Sequence, residues 1–193
     1  MEKTPLLNIS PEPVTLWYEG PTFLVAEKPQ GVAVHPDNSK GGDTLVNRLL
    51  QANRWLAEME ASHAPGVVHT LAMEDRGLVL VAKSDDMVET LREQYRGGRI
   101  TFSYRVRMPA SMTPRERDDV RVIDRQTADD WAVCDIDSSI GDTGILREEW
   151  LHGTADAFFV LYRMRIDTAA KTFEVGLADR VWLPAIDLYT APP

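Results

Sequence analysis

Ten consecutive residues, Arg99 to Met108, alternate polar and apolar without a break. Ile100, Phe102, Tyr104, Val106 and Met108 fall on one side of an extended chain; Arg99, Thr101, Ser103, Arg105 and Arg107 fall on the other. Side chains of a strand alternate faces with a period of two, so this run predicts a strand with one face turned to a core. Pro109 and Pro114 break the chain beyond it. The fold must therefore contain a sheet.

Other segments supply its partners. Leu16 to Glu27 predicts two strands around a turn at Gly20-Pro21, and Lys28-Pro29-Gln30-Gly31 predicts a turn with proline second and glycine fourth. Gly77 to Ala82 is the short apolar run of a buried strand. Asp43 or Thr44 can cap a helix with Leu45, Val46, Leu49 and Leu50 on one face. Asp85 or Asp86 can cap a second helix, with Val88, Leu91 and Tyr95 inward and Gly97-Gly98 at its end. Further strands are expected around Val122 and Ile123, Trp131 to Ile136, Phe158 to Ile166 and Thr172 to Leu177. The pattern is α+β: a mixed or antiparallel sheet flanked by a few helices. Residues 1 to 15, with three prolines, read as an extended lead-in, and 16 to 193 as a single domain.

The chain has 193 residues, 44% hydrophobic and 26% charged, which suits a soluble folded protein rather than a disordered one. Its one cysteine, Cys134, rules out an intrachain disulfide and a thiolate metal cluster. With no signal-peptide pattern at the N-terminus, the expected location is cytoplasmic. The apolar runs are too short to span a bilayer, so no membrane is expected. The net charge of −9 is unevenly placed: Asp118 to Asp156 holds eleven acidic against three basic residues, whereas Lys83 to Arg107 is locally basic. The acidic stretch reads as a solvated surface, and the overall balance opposes nucleic-acid binding.

Three segments resemble a known family. Leu24 to Pro36 carries a strand, a Lys-Pro-x-Gly turn (Lys28 to Gly31), a second extended run and His35-Pro36. Thr44-Leu45-Val46-Asn47 opens a helix. Gly66-Val67-Val68-His69-Thr70-Leu71-Ala72-Met73-Glu74-Asp75-Arg76-Gly77-Leu78-Val79-Leu80-Val81-Ala82-Lys83 is the third. In order and at these spacings they resemble the catalytic domain of RluA-type pseudouridine synthases, whose third segment reads Gly-Ile-Val-His-Arg-Leu-Asp-x-x-Thr-Ser-Gly-Leu-x-Leu-Val-Ala-Lys. The clear resemblance covers residues 16 to 108, and a faint one covers 157 to 190. It implies the pseudouridine synthase fold, an RNA substrate and an isomerase reaction without a cofactor or metal.

The same resemblance exposes departures. The family's catalytic aspartate falls on Ala72. That reaction needs one ionised carboxylate beside a flipped uridine, as nucleophile or base, and alanine supplies neither role. The family arginine that fills the space of the flipped base is Thr70. The Thr-Ser before the glycine has become Asp75-Arg76. The late family motif aligns with Ala169 to Gly176, placing Lys171 within it and Gly176 where the aspartate's arginine partner would stand. Removing one member of a buried ion pair strands the other at a cost of about 3–5 kcal/mol, whereas removing both can be neutral. Tyr104 matches the family's active-site tyrosine, but Phe102 replaces a basic residue two positions earlier, and a core tyrosine is the plainer reading.

Thr70, Ala72, Tyr104, Lys171 and Gly176 are thus the expected vestiges of an active site. Glu74 and Asp75, two and three residues past Ala72, are the candidates for a displaced catalytic carboxylate; Asp37 and Asp43 lie near the other family segments. His35, His63, His69 and His152 show no metal-ligand spacing. Three readings are open: a homologue that has lost catalysis and serves as a binding or protein-interaction module; an active RNA pseudouridine synthase using Glu74 or Asp75; and a non-catalytic RNA-binding module using Arg92, Arg96, Arg99, Arg105 and Arg107.

Overall fold

The structure is a computed structural model that describes residues 9–36, 42–59 and 64–177. It divides into two compact units, Met1–Gly97 and Gly98–Pro193. Among the described residues there are eight strands and three α-helices, so the expected α+β class stands. No helix among the described residues is long and apolar enough to cross a membrane.

In the first unit, β1 (Leu16–Glu19), β2 (Phe23–Lys28) and β3 (Arg76–Ala82) pair antiparallel. Leu24, Val25, Ala26 and Leu78 to Ala82 are fully buried, as their unbroken apolar run requires of strands covered on both faces. Thr44 caps α1 (Leu45–Ala52), its hydroxyl accepting from Asn47 N at 3.3 Å. The next two helix-opening amides find acceptors in the preceding segment: Leu45 N donates to Ala33 O at 2.9 Å and Val46 N to Val34 O at 3.0 Å. These bonds satisfy amides that a helix start leaves open and tie the Thr-Leu-Val-Asn helix to the run before His35. A 3-10 turn, Arg54–Glu58, follows. Helix α2 (Asp85–Arg96) is capped by Ser84, whose hydroxyl accepts from Met87 N at 3.2 Å. The acids expected to cap it, Asp85 and Asp86, instead occupy the first turn, where they meet the positive end of the helix dipole.

In the second unit, β4 (Ile100–Pro109), β5 (Val120–Ala128), β6 (Trp131–Ser138), β7 (Phe158–Asp167) and β8 (Thr172–Gly176) are joined in antiparallel pairs β8–β7, β7–β4, β4–β6 and β6–β5. All five apolar residues of the β4 alternation are fully buried. Helix α3 (Thr143–Glu149), which no sequence signal located, is capped by Asp142, whose carboxylate accepts from Gly144 N and Ile145 N. His63, Asp37 and the end of the faint resemblance, 178 to 190, lie outside the described residues.

Candidate active site

The site of interest in the first unit is a turn, Ala72-Met73-Glu74-Asp75, closed by Asp75 N donating to Ala72 O at 3.0 Å. Its approach is fixed by backbone pairing along β3. Gly66 has a positive φ of 72° and its carbonyl accepts from Ala82 N at 2.8 Å. A side chain there would run into Ala82 O and lie 2.9 Å from Val81 Cγ1, so only glycine serves. Val68 N then donates to Leu80 O, and the buried His69 accepts the Leu80 amide on Nε2 at 3.1 Å. This bond joins the His69 side chain to the β3 backbone immediately before Thr70 to Ala72.

Beneath the turn sits Lys28, fully buried. Its ammonium donates to Val32 O at 2.6 Å, Pro29 O at 2.9 Å and Met73 O at 3.2 Å. Gly31 N also donates to Met73 O, at 2.8 Å. The three donors of the ammonium are thus matched: two bonds close the Lys-Pro-Gln-Gly segment on itself through Pro29 O and Val32 O, and the third, with the Gly31 amide, ties it to the Ala72 turn through Met73 O. Burial pushes Lys28 down to about 8, against the pull of Asp75 and Glu74, which raise it. Asp75 is also fully buried. Its neighbour Arg76 pairs with Glu27 at 3.1 Å, and Glu27 also accepts from Trp17 Nε1 at 2.9 Å. Asp75-Arg76, the departure from Thr-Ser, therefore carries one charge set against Lys28 and one joined to Glu27. Lys28 reads in sequence as a turn residue only; its acceptor Met73 is 45 positions away.

Around this bed the chain is more open. Thr70 and Ala72 are half-buried, Met73 is 42% exposed and Glu74 is exposed. Of the two carboxylates considered as substitutes for an aspartate, Glu74 alone has surface to offer a ligand. Asp43 is engaged elsewhere: it accepts from Ser10 Oγ at 2.8 Å and Arg48 Nε at 2.8 Å, and the Arg48 guanidinium holds its carboxyl below the usual carboxylate range.

The second unit holds the other expected site residues. Tyr104 is fully buried; its hydroxyl donates to Ile140 O at 2.9 Å and its ring meets Phe159 edge-on, with centroids 6.1 Å apart. Lys171 is exposed in the turn between β7 and β8, where its carbonyl accepts from Thr168 Oγ1 at 2.7 Å. Gly176 ends β8 opposite Arg163. A Cβ on Gly176 would meet nothing nearer than Tyr162 O at 3.5 Å, an ordinary contact, so the position has room for a side chain.

Four of the five arginines of the locally basic stretch have partners within their own unit, and the Arg96 pair is on the surface. In the first unit, Arg92 donates to Val67 O at 3.2 Å and Arg96 pairs with Glu89 at 2.9 Å. In the second, Arg105 grips Asp135 with two bonds of 2.7 Å, and that hydrogen-bonded carboxylate raises its pKa. Arg107 is only 6% exposed, with its guanidinium carbon 4.1 Å from the Trp131 ring centroid, and burial lowers its pKa. Arg99 is exposed. The polar face of β4 is thus largely closed by cross-strand pairs, which an alternation pattern does not reveal.

Among the described residues, no three His, Cys, Asp or Glu side chains gather as a metal site requires. His35 contacts Pro36 O at 3.4 Å. His152 accepts from Arg115 Nε at 3.2 Å and lies 3.2 Å from Thr113 O.

Comparison with known proteins joins these observations. A sequence model of the RNA pseudouridylate synthase family matches residues 22–171, reaching well past the clear resemblance at 16 to 108 but ending before Gly176. An uncharacterized RNA pseudouridine synthase of Aquifex aeolicus is 33% identical over 102 residues, 52% of this chain and 32% of that protein. The ribosomal large subunit pseudouridine synthase D of Borreliella burgdorferi is 33% identical over 94 residues, 48% of this chain and 29% of that protein. The chain spans about a third of the length of the curated relatives it matches. Among solved structures, human RNA Pseudouridylate Synthase Domain Containing 4 superposes with a TM-score of 0.59 at 12% identity, covering 90% of this chain and 92% of that one. Human RNA Pseudouridylate Synthase Domain Containing 1 gives 0.56 at 16%, covering 97% and 89%. At those identities the likeness speaks for the fold, while the family rests on the sequence match: the chain belongs to the RNA pseudouridylate synthase family.

Proposed function

We propose that this chain is a pseudouridine synthase homologue that has lost uridine isomerisation and is retained for binding. The observation that carries the reading is Ala72, a methyl group on a turn whose bed is intact and where the family places its catalytic aspartate. Pseudouridine formation requires a carboxylate within hydrogen-bonding reach of the nucleotide. Asp75 has no exposed surface and faces the charge of Lys28. Gly176, at the position assigned to the ion-pair arginine, supports the same reading, because losing both charges avoids a stranded one.

RNA is the partner that the family implies. The relatives' names refer to RNA, and Arg99 and Lys171 are exposed cations in the second unit. The pairing of Arg105 with Asp135, the burial of Arg107 against Trp131 and the net charge of −9 support weak RNA binding at most, and so favour a protein as the main partner.

Incubating the purified chain with RNA labelled at uridine C5 tests the loss of catalysis. The expected outcome is no tritium release; robust turnover overturns it. One observation favours a second reading, an active enzyme using Glu74, since that carboxylate is exposed on the turn itself. It requires turnover by the native chain and its loss in Glu74→Gln.

A further inference from the structure

Strand β5 ends the sheet of the second unit, and among the described residues its only strand partner is β6. Arg121 to Ala128 are all exposed. Two adjacent residues are large and apolar: Val122 is 49% and Ile123 52% exposed. A long accessible edge of this kind is a template for another strand.

A bulge between Val122 and Asp124 sets which side chains share a face. Arg121 lies opposite Asp137 of β6, and Asp124 lies opposite Asp135. Asp135 and Asp137 are two residues apart on a regular strand and point the same way, so Arg121 and Asp124 also share a face. Arg121 reaches Asp137 at 3.2 Å, as this requires.

Two copies of one edge strand pair antiparallel about a two-fold axis perpendicular to the sheet. That axis obliges directly opposed residues to share a face. On an unbulged β5, Arg121 could oppose its own copy, Ile123, Arg125 or Thr127, none of which is acidic. The bulge changes the parity. It permits the register in which Arg121 faces Asp124 of the second copy and Asp124 faces Arg121, with Val122 against Ile123 twice between them. Each copy's extra residue is matched by the other's, so the count across the ladder is kept.

The geometry points to β5 as the strand through which two copies of this chain pair edge to edge, in the Arg121–Asp124 register. A second copy is the occupant because β5 itself supplies both members of each opposed charge pair, as a self-complementary contact must. The pairing is independent of whether the chain isomerises uridine.

Sedimentation velocity of the full chain over a range of concentrations at low salt tests it. A monomer–dimer equilibrium is expected. Asp124→Arg opposes arginine to arginine at both ends of the contact and should weaken the dimer about tenfold or more. The double variant Arg121→Asp with Asp124→Arg restores opposed charges and should regain most of the loss. Circular dichroism spectra of both variants should show the native fold, since Arg121 and Asp124 are exposed; the double variant should melt somewhat earlier, because Arg121→Asp replaces the ion pair with Asp137 by two opposed carboxylates. A chain that is monomeric throughout, including one whose β5 pairs with a different protein, overturns the proposal. A dimer untouched by Asp124→Arg, or a double variant with no recovery, does so too.

Discussion

Two sets of residues lie close together in the first unit and behave differently. Lys28, Thr44, Gly66 and His69 are buried or conformationally constrained and hold backbone to backbone. Thr70, Ala72 and Glu74 are half-buried or exposed on the loop that the first set positions. The first set follows the family pattern; in the second, Thr70 and Ala72 depart from it, and Glu74 stands where the pattern specifies no residue. Residues that satisfy buried carbonyls and amides are required by the fold whatever the protein does, because an unpaired buried polar group is costly. Residues that face a ligand are required only by the reaction. A turn can therefore keep its geometry after its chemistry has gone.

Substitutions can break this contrast, and the largest effect is expected at Lys28. Lys28→Met removes three carbonyl partners and leaves Asp75 buried without that opposing charge, a cost of about 3–5 kcal/mol. Urea unfolding measures it; an unchanged midpoint means that the turn is not held there. A pH series sharpens the point. Lys28 is lowered from 10.5 to about 8 in the folded chain, so between those values the unfolded chain holds more protons than the folded one. Relative to Lys28→Met, the native chain should gain stability as pH rises from about 8 towards 10.5. Below that window the difference should be flat with respect to this group.

Next in size is Gly66→Ala, which combines a positive φ with a clash against Ala82 O and should cost about 1–3 kcal/mol by thermal or urea unfolding. Thr44→Ala removes the α1 cap and should cost about 1 kcal/mol in the same assay. The smallest effect is expected on the other side of the contrast. Ala72→Asp and Gly176→Ala should each change stability by no more than about 0.5 kcal/mol, since neither site is tightly enclosed. A cost at Ala72 comparable to that at Gly66 would place Ala72 among the fold-holding residues and erase the distinction.

Much of the fold was legible in the chain. The Arg99–Met108 alternation predicted the buried face of β4 residue for residue, because a period of two is a property of the strand itself. The turn at Lys28 to Gly31, the Thr44 cap and Gly97 after α2 were equally local. Helix α3 was not found: its seven residues give too little periodicity, and the one available signal was Asp142 ahead of Thr143-Gly144. At the site, the sequence located Ala72 and its neighbours but not their surroundings. It could not tell exposed Glu74 from buried Asp75, because adjacent acids on a turn look alike until packing covers one of them.

The amino-acid order alone determined the strand and helix pattern, the family resemblance and the absence of a carboxylate at position 72. Only the tertiary structure decided what surrounds those residues. Lys28 meets Met73, and Arg105 meets Asp135, across separations of 45 and 30 positions. Such contacts depend on turn placement and strand register, which no local pattern encodes. A solvent-facing arginine and one locked to a carboxylate have the same sequence signature. Folding distinguishes them, because burial makes an unpaired charge expensive and draws each to the partner that the register brings within reach.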